Sequence, residues 1–378
     1  MMRVQDLIIL FALTGTFSAD IYGNPNWPEH SWDTVPVYIH FGSNRGLTDE
    51  EIAFVASRSR FISLEKRHGV EIHGSTEKGI NADAVRIKQV NPKAKVLYYW
   101  NTFLDYSMFD AHTVYENHPE WWLRKLDGEL DKKWEQIRRY DLSNPEVQEW
   151  WSEEVRKAVV DGSCDGVFAD AFPQIAAQAN IKLWGKEKYE AIQAGLLTTL
   201  NKTREKIGVA GIILYNGIRN TDTLNFGMPY LNYADGATIE HFAHFRSESK
   251  ESISRDIAAM IESGKRGKIV VMKGWPGFNF TQREIRDVPY ETLLARAQEE
   301  ITFPLACFLI AAQEHSYFCY GWGYREDGGS LGWYDEFDKP LGPPKAQAVK
   351  SDWVYERSFE HADVWVDIEN KTARIDWR

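Results

Sequence analysis

The chain has 378 residues, 43% of them hydrophobic and 26% charged, which excludes global disorder and leaves ample length for one large core. Its formal net charge of −11 argues against nucleic acid as a partner, because that binding needs a basic surface.

From the N-terminus, residues 1–19 read as an export signal. Arg3 precedes an apolar run from Leu7 to Phe17, and the small residues Ser18 and Ala19 close it. Asp6, directly before the run, is atypical of such signals. The run is too short to span a membrane, and no later stretch is a second candidate. The mature chain is expected to start near Asp20 and to be secreted or periplasmic.

From about residue 35, strand-like and helix-like runs alternate. Residues 35–41 (VPVYIHF) form the first strand. A helix over residues 48–58 opens on a capping box, Thr48 and Glu51. Residues 61–64 (FISL) are the second strand and lead to Glu65; a helix follows over 82–90. Residues 95–99 (KVLYY) are the third strand, ending in Trp100 and Asn101. A long insert, residues 102–140, holds Trp121, Trp122 and Trp134. Asn144 and Pro145 then give an N-cap and first-turn proline for a helix over 146–161.

Residues 165–169 (DGVFA) are the fourth strand and deliver Asp170. A helix over 189–207 leads to the fifth strand, 210–215 (AGIILY), which ends at Asn216. The sixth strand lies less regularly within 231–239 and delivers Glu240. Helix 252–263, strand 268–272 (KIVVM) and helix 289–300 follow. Residues 305–312 are apolar throughout and fit either a strand or a helix; they precede Glu314 and His315. Eight strand candidates in one alternating series favour an α/β (β/α)8 TIM barrel over an open sheet. Beyond residue 345 the period changes to two, with short strands at 355–358, 364–367 and 373–377. The domain reading is a signal over 1–19, a catalytic barrel over 20–345, and a small β appendage over 346–378 packed on the barrel. Three cysteines, Cys164, Cys307 and Cys319, allow at most one disulfide and fit buried thiols equally well.

On a barrel, side chains just after strand C-termini face the active site. Those positions hold His40, Glu65, Trp100, Asn101, Asp170, Asn216, Glu240, Lys273, Trp275, Glu314 and His315. The set has no metal spacing, no Gly-x-Ser-x-Gly elbow and no nucleotide-binding glycine motif, so no cofactor is expected. It is rich in carboxylates and tryptophan. Hydrolysis of a glycosidic bond needs two carboxyl groups flanking the scissile bond. Asp170 ends a well-formed apolar strand, although it could simply cap the next helix. Glu240 precedes His241, Phe242 and His244, an apolar and aromatic setting that would keep an acid protonated. Glu65 stands beside Lys66 and Arg67 and reads as a buried ion pair as readily as a catalytic group; it is the substitute should Glu240 face away. His40, Glu65, Trp100, Asn101, Asn216, His241, Lys273, Trp275 and Trp322 are the expected substrate contacts. Among these, the tryptophans would stack on sugar rings.

The segments YDLSNPEVQEWW and CDGVFADAF, with the later Glu240 and LGWYDEFDKPLGPPKAQA, resemble TIM-barrel glycoside hydrolases. Within that group the chain is most similar to the endo-α-1,3-fucanase family, glycoside hydrolase family 168. That resemblance implies a retaining enzyme acting on an α-linked polysaccharide, with sulfated fucan as the substrate. It makes Asp170 the nucleophile and Glu240 the acid/base. Two other functions compete. One is an inactive carbohydrate-binding barrel using the tryptophans alone. The other is a lyase, for which no compelling base stands out.

Overall fold

The computed structural model describes residues 24, 26–218 and 224–378, so the expected export segment lies outside the described residues. Eight parallel strands follow one another in chain order around one sheet. They are β1 (Tyr38–Phe41), β2 (Phe61–Leu64), β3 (Lys95–Asn101), β4 (Gly166–Asp170), β5 (Ile212–Asn216), β6 (Gly236–Ile239), β7 (Ile269–Gly274) and β8 (Ser316–Tyr320). A bridge between Val37 and Phe318 joins the last strand to the first, with the Phe318 amide donating to the Pro36 carbonyl at 2.7 Å. The sheet is a nearly closed (β/α)8 barrel, as the alternation predicts.

The surrounding helices are α1 (Asp49–Arg58), α2 (Thr76–Val90), α3 (Pro145–Arg156), α4 (Lys186–Ile207), α5 (Lys250–Lys265), α6 (Tyr290–Glu300) and α7 (Thr302–Ala311). Local chemistry sets their starts. Thr48 and Glu51 close the expected capping box on α1. Asn144 caps α3, with Pro145 in its first turn. Strands β4 and β6 both open on glycine. A side chain at Gly166 or Gly236 would run into the carbonyl of Ile212 or Ile269 on the next strand. Glycine thus lets the strand that ends in Asp170 and the strand that leads to Glu240 seat fully in the sheet.

One expected element differs. Residues 305–312 are not the eighth strand; they lie largely in helix α7, and β8 follows at Ser316–Tyr320. The segment is buried on every side, so no face is polar and the helical period leaves no trace. Glu314 and His315 therefore precede a strand and sit at the N-terminal end of the barrel, away from its catalytic face.

The C-terminal appendage is an antiparallel sheet of β9 (Val349–Ser351), β10 (Val354–Ser358), β11 (Ala362–Asp367) and β12 (Thr372–Trp377). It packs over α7. Arg357, 4% exposed, reaches from β10 to the end of α7 and donates to the carbonyls of Leu309 (2.9 Å), Ile310 (3.3 Å) and Ala312 (2.5 Å). Of these, the Ala312 carbonyl has a second donor, Gln313 Nε2 at 2.9 Å, and the guanidinium is the side-chain donor to Leu309 and Ile310 at this buried helix end. Cys164, Cys307 and Cys319 are buried and unbonded. No helix among the described residues is long and apolar enough to cross a membrane.

Candidate active site

The register of the sheet assembles the site. Asn101 on β3 pairs with Asp170 on β4, so both side chains emerge together at the C-terminal rim. Asp170 accepts four hydrogen bonds: Tyr99 Oη at 2.5 Å and Asn101 Nδ2 at 3.0 Å on Oδ2, Asn216 Nδ2 at 2.9 Å and the Ala171 amide at 2.7 Å on Oδ1. Two of these donors are fixed. Ala171 N is backbone, and the Asn101 amide cannot flip because its oxygen accepts from Phe103 and Leu104. Ala171 itself has φ 79°, an unfavourable left-handed conformation for a residue with a Cβ. The chain thus turns sharply just where the carboxylate is presented.

Glu240, one residue beyond β6, accepts from Tyr324 Oη on Oε1 at 2.8 Å and from Asn216 Nδ2 on Oε2 at 2.8 Å. His241 Nε2 lies 3.1 Å from the same Oε2. One amide group, Asn216 Nδ2, therefore bridges Asp170 and Glu240. Both bonded oxygens lie within 2.9 Å of this one nitrogen, so they are no more than about 5.7 Å apart. Glu65 is held by Lys66 Nζ at 2.6 Å and His40 Nε2 at 3.2 Å.

The cavity over these carboxylates has a volume of about 450 Å³. Glu65, Lys66, Asp170, Glu240, His241 and Tyr324 form its floor and near wall. Its rim carries Arg67, Lys133, Trp134, Phe280 and Arg325. Trp134 is 73% exposed and Phe280 49%, and they are the only aromatic side chains among the exposed large hydrophobics of the described residues. Both face one opening. Trp134 sits on a tight hairpin between strands Lys132–Lys133 and Ile137–Arg138, inside the long insert. Lys133 and Arg67 have no carboxylate within ion-pair distance among the described residues.

Burial and the neighbouring Glu240 charge raise the Asp170 carboxyl, against a downward pull from Lys66 and Tyr99. Burial also pushes Glu240 up, but His241, Asn216 and Tyr324 outweigh it and hold Glu240 well below the usual range. The field alone thus favours a first proton on Asp170, and hydrogen-bond geometry favours the opposite. Each Asp170 oxygen faces a donor that cannot turn. At Glu240, the Tyr324 hydroxyl rotates and His241 has two tautomers. His241 Nδ1 is buried without a partner, so the imidazolium that would hold Glu240 ionised leaves an N–H unsatisfied. Fixed donors on both oxygens of Asp170 leave Glu240 the better placed of the two to carry the proton. The setting of Glu240 is in any case not the apolar one its neighbours in sequence suggest.

The other expected contacts separate into groups. Glu65 and His241 line the cavity, while His40, Asn101 and Asn216 act on carboxylates rather than facing open space. Lys273 is 2% exposed and donates to the carbonyls of Gly321 (3.4 Å) and Gly323 (3.1 Å), pinning the loop that carries Tyr324. Trp275 is 4% exposed and donates from Nε1 to the Glu240 carbonyl at 2.8 Å, so it braces the loop instead of presenting a face. Trp100 and Trp322 lie away from the cavity. Alternation on β3 turns Tyr99 and Asn101 toward the site and Trp100 outward, against Phe109, Trp150 and Trp151. Trp322 is buried against Phe278 and Tyr290.

The sequence reading missed Tyr99, Tyr324, Lys133, Trp134 and Phe280. Tyr99 was accessible from the two-residue period once Asn101 was placed. Tyr324 was not, because the eighth strand was expected one element too early. Among the described residues no cluster of His, Cys, Asp or Glu could hold a metal ion.

A barrel with paired carboxylates at its C-terminal rim is the architecture of a glycoside hydrolase. The profile of hypothetical glycosyl hydrolase family 15 matches residues 88–363, and the chain belongs to that family. No curated protein matches the chain in sequence. Among solved structures, an α-amylase from Geobacillus thermoleovorans complexed with acarbose is 11% identical, with a TM-score of 0.51 over 89% of this chain and 87% of that one. A maltogenic α-amylase from Thermotoga neapolitana is 12% identical, with a TM-score of 0.49 over 88% of this chain and 85% of that one. A Paenibacillus cycloisomaltooligosaccharide glucanotransferase is 13% identical, with a TM-score of 0.46 over 67% of this chain, which spans only 40% of that protein. The Geobacillus likeness establishes the shared barrel and nothing finer.

Proposed function

We propose that this chain is a retaining, endo-acting glycoside hydrolase in which Asp170 and Glu240 do the chemistry. The observation that carries this is the Asn216 amide donating to both carboxylates. That upper bound of about 5.7 Å between the bonded oxygens admits the roughly 5–5.5 Å of double-displacement pairs and falls short of the roughly 6.5–9.5 Å that an inverting enzyme needs for its water. Asp170, saturated with donors, is the anion; one donor yields as it attacks the anomeric carbon. Glu240 gives its proton to the leaving oxygen. Glu240 then takes a proton from water, whose oxygen displaces Asp170 from the sugar and frees the hydrolysed product.

The α-linkage and the fucan backbone rest on the sequence resemblance. The unpaired Lys133 and Arg67 on the rim fit sulfate esters on such a chain, and Trp134 and Phe280 supply faces for its rings. The leader-like residues 1–19 support secretion.

The test is digestion of a panel of sulfated and neutral α-linked polysaccharides, with product sizing and proton NMR of the first-formed anomer. Internal cleavage with retained configuration is expected. An inverted product would overturn the double displacement, and binding without cleavage would leave a carbohydrate-binding barrel. Azide rescue assigns the roles. Asp170→Gly should yield a glycosyl azide of inverted configuration and Glu240→Ala one of retained configuration; the reverse pattern would exchange the two residues.

A further inference from the structure

An acid/base residue must be satisfied both with and without its proton, because double displacement uses each form once per turnover. The partners of Glu240 decide how cheaply that alternation occurs. Asn216 offers a hydrogen to Oε2. His241 also meets Oε2, but accepting a proton there would require its own hydrogen to move to Nδ1, which is buried and unpartnered. Tyr324 meets Oε1 at 2.8 Å and needs only to rotate its hydroxyl to change from donor to acceptor.

We propose that Tyr324 is the positioning residue that lets Glu240 serve first as acid and then as base, by turning its hydroxyl. This rests on the reading of Glu240 as the acid/base. The ring is firmly placed for the task. It stands edge-on to Trp275 at 5.6 Å and to Phe280 at 5.7 Å, with Lys273 Nζ 4.9 Å from its centroid. Lys273 also bonds the Gly323 carbonyl, so the loop and the ring are braced by one cation. Burial and the Glu240 charge keep the hydroxyl protonated at all working pH values. The charged and titratable groups around Glu240 are Asp170 from β4, His241 beside it, Glu65 from β2, Lys273 from β7, Cys319 from β8 and Lys133 from the insert hairpin. Among these, His241 alone is within hydrogen-bond distance of it, beside Tyr324 itself.

The test needs no substrate. Carboxyl-carbon NMR of the whole protein with 13C-labelled Glu and Asp, assigned through Glu240→Gln and Asp170→Asn, follows both titrations directly. Tyr324→Phe keeps the ring and removes the donor that stabilises the Glu240 anion. Its midpoint should rise by about one pH unit, a tenfold weaker acid. Asp170 should move by less. Tyr99→Phe should do the reverse, raising Asp170 more than Glu240. An unchanged Glu240 midpoint in Tyr324→Phe, or equal shifts in both carboxyls, would overturn the proposal. Once a cleaved polysaccharide is in hand, Tyr324→Phe should lower kcat at little cost in KM and move the alkaline limb of the pH profile upward. If the midpoint shifts but no polysaccharide is cleaved, the hydrolase reading fails while the hydroxyl's control of Glu240 stands.

Discussion

Asp170 and Trp134 show two ways in which one residue matters to this site. Asp170 is half-buried with both oxygens fully bonded, so replacing it acts on chemistry and on local hydrogen bonding together. Asp170→Asn should cut turnover roughly a thousandfold or more. It also sets an amide N–H against one of the two fixed donors, Ala171 N on one side or Asn101 Nδ2 on the other, so a loss of about 1–3 kcal/mol in urea unfolding should accompany it. Trp134 is 73% exposed and carries little of the fold. Trp134→Ala should leave the melting temperature unchanged and raise KM about tenfold, the equivalent of roughly 1.4 kcal/mol of lost stacking. Unchanged KM would remove Trp134 from the substrate surface. At this scale the sequence pointed to Asp170 through a well-formed strand end, and to Glu240 through a less regular strand and the family resemblance. Trp134 gave no such signal, since its exposure depends on a hairpin folding back over the barrel mouth.

Among the elements, α7 differs most from expectation, and Arg357 explains how it survives burial. A helix as apolar as TFPLACFLIA has no polar face to offer water. Its last carbonyls end inside the protein, where the guanidinium from β10 meets them. Burial without a counter-charge lowers the Arg357 pKa to about 10, and it remains charged at neutral pH. Arg357→Leu should cost about 2–4 kcal/mol, since the Leu309 and Ile310 carbonyls lose their side-chain donor while Ala312 keeps Gln313 Nε2, and should lower the melting temperature by several degrees. The Asp170 and Glu240 midpoints should not move. A stability equal to wild type would mean that water replaces the guanidinium. Strand β3 gives the complementary lesson. Its boundaries were nearly legible, but assigning Trp100 to the site put one residue on the wrong side of the sheet.

For the whole molecule, closure of the barrel involves its N-terminal end as well as its catalytic face. There the segment before β1 packs on the start of β8. Trp27 stands edge-on to His315 at 5.2 Å, His30 lies 5.8 Å from both His315 and Tyr317, and Tyr317 donates to the Pro28 carbonyl at 2.9 Å. Burial, aided by His315, pushes His30 down to about 3. The unfolded chain therefore binds a proton near pH 6.5 that the folded chain refuses. Stability is full above that pH and falls as pH drops from about 6.5 toward 3, by up to roughly 1.4 kcal/mol per unit. Urea unfolding at pH 5 should give a stability roughly 2 kcal/mol lower than at pH 7 from this group alone. His30→Asn should flatten that slope. Equal slopes in the two proteins would show that His30 is not the group responsible.

The sequence by itself determined the barrel, the C-terminal sheet and the two strand ends that carry Asp170 and Glu240. These follow from local periodicity and from which residue comes next along the chain. Tertiary structure alone decided that Asn216 bridges the two carboxylates, that Tyr324 from the last loop reaches Glu240, and that Trp100 faces away. Residues 170, 216, 240 and 324 come from four parts of the chain. Their distances are set by strand register and closure of the sheet, which local periodicity does not encode.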